Sequence, residues 1–182
     1  MAGRAVVRRS KWLSRHLRHS PGRIGLDLEP GGWVLVDDLL AAAARHGMPM
    51  SRDQLDEVVA TNDKRRFSLS EDGARIRANQ GHSVEVDLQL EQREPPPVLF
   101  HGTGERAVEA ILSVGLDRRR RHHVHLSADV ETARRVGSRH GRPVVLRVDA
   151  AAMAADGHEF FVSDNGVWLC ESVPAEYLAV LA

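Results

Sequence analysis

Apolar residues fall at helical spacing in Trp12, Leu13 and Leu17, while Arg15 and His19 share another face with Arg18 nearby. The pattern predicts a helix over 10–19, capped by Ser10 and ended by Ser20-Pro21-Gly22. Residues 1–9 are expected to form a frayed basic lead-in. Trp33-Val34-Leu35-Val36 reads as a short strand, followed by an Asp-capped helix over 39–46 that Gly47 stops. Ser51 with Gln54 three residues on is a capping box, opening a helix that runs to about Thr61. Segments 65–70 and 74–79 pair as a hairpin across Glu71-Asp72-Gly73.

Helix, strand, two helices and a hairpin give the first half the element order of a winged helix. Consecutive prolines at Pro95, Pro96 and Pro97 then favour an extended chain, so residues 91–97 are expected to link a lobe over 1–90 to another over 98–182. In the second half, strands are expected at 98–100, 124–127, 143–148, 159–162 and 167–170, with helices over 105–114 and 130–138. Asp164-Asn165-Gly166 supplies a turn between the last two strands. No internal repeat or low-complexity tract interrupts this order.

A length of 182 residues allows one large domain or two small lobes, and 42% hydrophobic with 27% charged residues fits a folded chain. No apolar run is long enough to cross a bilayer, and the first residues lack the apolar core of a secretory signal, so a cytoplasmic protein is expected. With Cys170 as the single cysteine, neither an intramolecular disulfide nor a thiolate zinc cluster can form within one chain. Net charge is zero, yet seven basic residues and no acidic one precede Asp27, and Arg118 to Arg121 are consecutive. Of the 25 basic residues all but Lys11 and Lys64 are Arg, a bias that genomic base composition can produce by itself. Six of the ten His lie between His82 and His140.

Three patterns carry candidate chemistry. Gly102-Thr103-Gly104-Glu105-Arg106-Ala107 matches a dinucleotide fingerprint between a strand and a helix. Too few residues follow to build a Rossmann sheet, and the next strand is preceded by four Arg rather than carrying a ribose-binding acid. His123 and His125 share one face of a strand, as metal-binding pairs do, but the neighbouring guanidinium groups would repel a cation, and no metal is expected. The third pattern is broad: Arg18-His19, Arg65-Arg66, Arg77 beside Gln80-Gly81-His82, and the Arg118 to Arg121 run. Guanidinium forks match phosphate oxygens and stay charged, so converging Arg residues both bind a phosphate and stabilise a more negative transition state.

Seven segments in order make a specific signature: Leu17-Arg18-His19, Lys64-Arg65-Arg66-Phe67, Arg77-Ala78-Asn79-Gln80-Gly81-His82-Ser83, His101-Gly102-Thr103, His123-Val124-His125-Leu126-Ser127, Val136-Gly137-Ser138-Arg139-His140-Gly141 and Ser163-Asp164-Asn165-Gly166-Val167-Trp168-Leu169. Together they resemble the NAD-dependent RNA 2′-phosphotransferase family, known for its tRNA-splicing members, over nearly the whole chain. The resemblance implies an α+β fold, with an N-terminal winged-helix-like lobe that holds RNA and a C-terminal ADP-ribosyltransferase-like lobe that holds NAD+. It implies a monomeric transferase that consumes NAD+ as a co-substrate. The RNA 2′-phosphate attacks the NAD ribose and expels nicotinamide, giving an ADP-ribosylated 2′-phospho-RNA. That intermediate resolves to 2′-hydroxyl RNA and ADP-ribose 1″,2″-cyclic phosphate.

Carried over by position, the family's catalytic set becomes Arg18, His19, Arg66 and Arg121, with Arg65 competing for the place of Arg66 and Arg120 for that of Arg121. His101, Gly102, Thr103, His125, Ser127, Gly137, Arg139 and Gly141 would contact NAD+, and Arg77, Gln80 and Gly81 the flanking RNA phosphates. Two other readings stay open from the residues: a noncatalytic winged-helix nucleic-acid binder, and an ADP-ribosyltransferase acting on another phosphorylated end or a protein.

Overall fold

Helix α1 (Ala2–Arg18) opens the chain in the computed structural model, which describes residues 2–62 and 64–181. The helix begins well before the expected Ser10, because Val6 continues the apolar stripe of Leu13 and Leu17 and packs on the same core. Residues 2–9 are therefore helical rather than frayed, and Ser10 lies mid-helix. Pro21 and the short 3-10 turn Pro21–Ile24 end it, as a ring without an N–H must.

The chain divides into two compact units, 1–89 and 90–182. In the first, β1 (Trp33–Leu35) leads directly into α2 (Val36–Arg45), which starts three residues earlier than expected because Asp37 and Asp38 occupy its first turn instead of capping it. Helix α3 (Arg52–Ala60) carries the capping box: Gln54 N–H donates to the Ser51 hydroxyl and Ser51 N–H to the Gln54 side chain. Strands β2 (Phe67–Leu69) and β3 (Arg75–Ala78) form the hairpin, and β1 adds to the other side of β3, all antiparallel. Leu13, Leu17, Leu39, Leu55 and Ile76 are fully buried between helices and sheet, each contributing about 2 kcal/mol of apolar transfer.

The expected linker, 91–97, lies within the second unit. Glu91–Gln92 (β4) pairs with β9 (Phe161–Val162), a pairing between distant segments that local composition does not signal. Strand β5 (Val98–Gly104) runs four residues beyond the expected Phe100 and pairs antiparallel with β8 (Pro143–Asp149), from Val98↔Asp149 to Gly104↔Pro143. A 3-10 turn at Glu105–Ala107 precedes α4 (Val108–Val114). Then follow β6 (Leu116–Asp117), β7 (Val124–Leu126) and α5 (Val130–Gly137), the last capped by Asp129. After β8, Asp149 caps α6 (Ala150–Ala155), and β10 (Trp168–Cys170), β11 (Ser172–Val173) and β12 (Leu178–Val180) complete the unit.

Three small antiparallel sheets result, in orders β4-β9-β10-β7, β12-β8-β5 and β11-β6. A bridge between Phe100 and Ser127 joins β5 to the end of β7, each N–H donating to the other carbonyl at 2.9 and 2.8 Å. Helices and strands are mixed without any repeated parallel crossover, so the fold class is α+β.

Candidate active site

Each unit holds part of the sequence-derived set. In the first, the buried Leu13 and Leu17 fix the rotation of α1, so Lys11, Arg15 and Arg18 face a groove of about 580 Å³ that His19 and Arg66 also line. Such a volume suits a nucleotide better than a bare phosphate. Arg66 enters from the turn before β2. Arg65 adopts a left-handed conformation with φ 42°, unusual for a side-chain-bearing residue, and turns the chain so that Arg66 lines the groove while Arg65 does not. Asn79 clasps this turn, its side-chain amide donating to the Arg65 carbonyl at 2.6 Å and its backbone N–H to the Arg66 carbonyl at 2.9 Å.

The segment after β3 closes on the end of α1. Ser83 N–H donates to the Arg18 carbonyl at 2.9 Å, and the Ser83 hydroxyl lies 2.8 Å from His19 Nδ1, orienting a ring that is otherwise exposed. Gly81, with φ 84°, passes so close to Arg18 that an added Cβ would sit 3.7 Å from its guanidinium. Gln80 precedes it, half-buried. Arg77 is elsewhere: its guanidinium stacks 4.5 Å from the Trp33 ring and donates to the Gly31 carbonyl, and it is not among the residues lining the groove. Asn79 and Ser83 stand inside a segment the sequence singled out, but only the folded contacts reveal them as positioning groups.

In the second unit, His101 on β5 donates from Nδ1 to the His125 carbonyl at 3.1 Å. Burial holds its pKa below the usual 6.5, with His140, Arg119 and Arg121 pushing the same way against that hydrogen bond. A neutral ring protonated at Nδ1 leaves Nε2 as a hydrogen-bond acceptor. Arg121 Nη1 approaches His125 Nδ1 at 3.5 Å. Arg121 thus stands beside the histidines, with Arg119 near enough to act on His101.

Gly102, Thr103 and Gly137 are buried where β5 meets α5. A Cβ on Gly102 would fall on the Ala133 carbonyl, one on Gly104 on that of His140, and one on Gly137 at 2.7 Å from that of Thr103. These glycines let helix and strand touch, which accounts for the apparent dinucleotide fingerprint without a Rossmann sheet. Ser127 sits at the bridge to Phe100, while Arg139 and Gly141 are exposed in the α5–β8 connection, Gly141 at φ 114°.

The His123 ring centroid lies 5.7 Å from that of Phe161, and burial, His122 and Arg118 lower its pKa against the pull of Glu171. No group of three or more metal-ligating side chains occurs among the described residues. Burial pushes the Cys170 thiol up to about 12, leaving it an inert strand residue. No described helix is long and apolar enough to cross a membrane.

A protein from Trichormus variabilis named "Probable RNA 2′-phosphotransferase" is 60% identical over 175 residues, covering 96% of each chain. Another of the same name from Streptomyces coelicolor is 61% identical over 173 residues, covering 95% of this chain and 94% of its own. The model of the RNA 2′-phosphotransferase, Tpt1/KptA family matches residues 4–172, and the chain belongs to that family.

Proposed function

We propose that this chain removes an internal 2′-monophosphate from RNA by transferring it to NAD+. The observation that carries this reading is that Arg18, His19 and Arg66, from distant parts of the sequence, line one groove. We assign the first unit as a winged-helix-like lobe that takes the RNA phosphate and the second as an ADP-ribosyltransferase-like lobe that takes NAD+. NAD+ supplies a ribose carbon that gains a bond to the phosphate as nicotinamide leaves, and a ribose hydroxyl that then displaces the RNA 2′-oxygen from phosphorus.

Arg18 and Arg66 orient the phosphate through paired N–H donors and neutralise charge as it builds on phosphorus. His19, oriented by Ser83, exchanges a proton with the RNA 2′-oxygen. In the second unit the His101 Nε2 acceptor fits a ribose hydroxyl, and Arg119 with Arg121 suits the negative charge of a diphosphate or of the transferred phosphate. Gly102, Thr103 and Gly137 keep the strand and helix backbone beneath this surface, with His125, Ser127, Arg139 and Gly141 around it.

The test is incubation with NAD+ and an RNA bearing one internal 2′-phosphate. Nicotinamide and ADP-ribose 1″,2″-cyclic phosphate are expected in equal amounts with dephosphorylated RNA, and Arg121→Ala should accumulate ADP-ribosylated RNA. Absence of NAD+ consumption would overturn the reading in favour of a noncatalytic RNA binder.

A further inference from the structure

We infer that α1 carries an RNA-backbone track that extends from the groove to the start of the chain. Arg4, Arg8, Lys11, Arg15 and Arg18 follow one another at spacings of four and three residues, which at 3.6 residues per turn places them within an arc of about 80°. The first four are exposed, and no ion pair among the described residues engages them. The helix contains no acidic residue. Its last three stripe positions enter the groove, where Lys64 and Arg66 face them from the other wall.

At 1.5 Å per residue the stripe is about 21 Å long, the reach of about six phosphates in a stacked strand rising ~3.4 Å per nucleotide. One end therefore coincides with the proposed 2′-phosphate grip, and the rest can hold only chain on one side of the modified nucleotide. A lipid surface fits less well. The apolar side of α1, with Val6, Trp12, Leu13 and Leu17, packs on the unit's own core, and Val7 is the one large apolar side chain of the described helix left exposed, too little to wedge into a bilayer.

This inference rests on the RNA reading above, and binding separates the two. Fluorescence anisotropy would use unmodified and 2′-phosphorylated RNAs of about twelve nucleotides, with the phosphate near one end or the other. One placement should bind roughly tenfold tighter than a 2′-phosphorylated trinucleotide, and the same placement should show the higher kcat/KM. Each phosphate contact adds about 0.7 to the slope of log affinity against log salt, so Arg4→Gln with Arg8→Gln should lower that slope by about 1.4 and remove most of the length advantage. Glutamine keeps helix propensity, and a Lys pair at the same positions should retain the slope, separating lost charge from lost folding.

Equal affinity for long and short RNAs, or an unchanged slope in the glutamine variant, would overturn the track. So would a glutamine variant that loses binding only to phosphatidylcholine vesicles containing about one-third phosphatidylserine. If the parent protein removes no phosphate from any RNA, the enzymatic reading fails while the salt slope on the long RNA still decides the track.

Discussion

In the first unit the candidate groups are long cationic side chains that reach a groove from the end of a helix and the mouth of a hairpin, whereas in the second they are histidines held against a sheet whose glycines leave no spare volume. The first arrangement resembles a hand whose fingers can be changed without disturbing the palm. In the second, the surface that would meet a ligand is continuous with the packing of β5 on α5, so chemistry and stability are inseparable. Substitutions of the groove-lining arginines in the first unit should therefore change activity without stability, whereas in the second unit both should change together.

The largest separation is expected from Arg66→Ala. Loss of a fork aimed at developing phosphate charge should reduce kcat by about 10²–10³-fold. The thermal midpoint should barely move, because the guanidinium lines an open groove. Arg66→Lys should recover only part of the rate, since a point charge lacks the paired donors. A large stability loss in either variant would erase the distinction between the units. Next is Gly102→Ala, whose methyl group would meet the Ala133 carbonyl; a loss of about 3 kcal/mol is expected, read by urea unfolding. Near-native stability of that variant would show that α5 yields easily, contrary to the close contact.

Asn79→Ala sharpens the comparison from inside the first unit. Removing the amide from the Arg65 carbonyl should cost about 1–2 kcal/mol and release the turn that aims Arg66. The expected signature is a fall in kcat of roughly tenfold with little change in KM for NAD+, because only the phosphate grip is disturbed.

The smallest effect is a pH dependence. His101 and His123 in the second unit, and His16 in the first, all have pKa values held below 6.5, chiefly by burial. Above 6.5 both folded and unfolded forms are neutral and these groups contribute nothing. As pH falls below 6.5 the unfolded chain takes up protons first, so stability should decline until the lowered folded pKa values are passed. Denaturant midpoints between pH 7.5 and pH 5 should follow that direction. His101→Gln should flatten part of the slope.

How much of this was legible in the sequence follows from how local each cause is. Leu13 and Leu17 announced a helix, and Ser51 with Gln54 announced its neighbour's start, because periodicity and capping act within a few residues. The beginning of α1 was hidden: four basic residues around Val6 and Val7 dilute an apolar stripe that only the core makes visible. Helix α6, six residues of Ala and Met, offers no polar face to set a period. The two-residue strands β4, β6 and β11 exist through distant partners, which no local window contains. At the site, Arg18, His19, Arg66, His101 and Arg121 could be picked out as candidates from the sequence, whereas the left-handed Arg65 that puts Arg66 rather than Arg65 on the groove could not. The glycines of 102–104 were visible as a motif, but their physical cause is contact with α5, not the shape of a phosphate loop.

The division of labour between the units is tested most directly by equilibrium binding of each ligand to two variants. Arg66→Ala should bind NAD+ as the parent does yet lose its preference for 2′-phosphorylated RNA over the same RNA with a 2′-hydroxyl. His101→Gln should keep that preference and bind NAD+ more weakly. Loss of NAD+ binding in the Arg66 variant, or of the 2′-phosphate preference in the His101 variant, would contradict the assignment of one ligand to each unit.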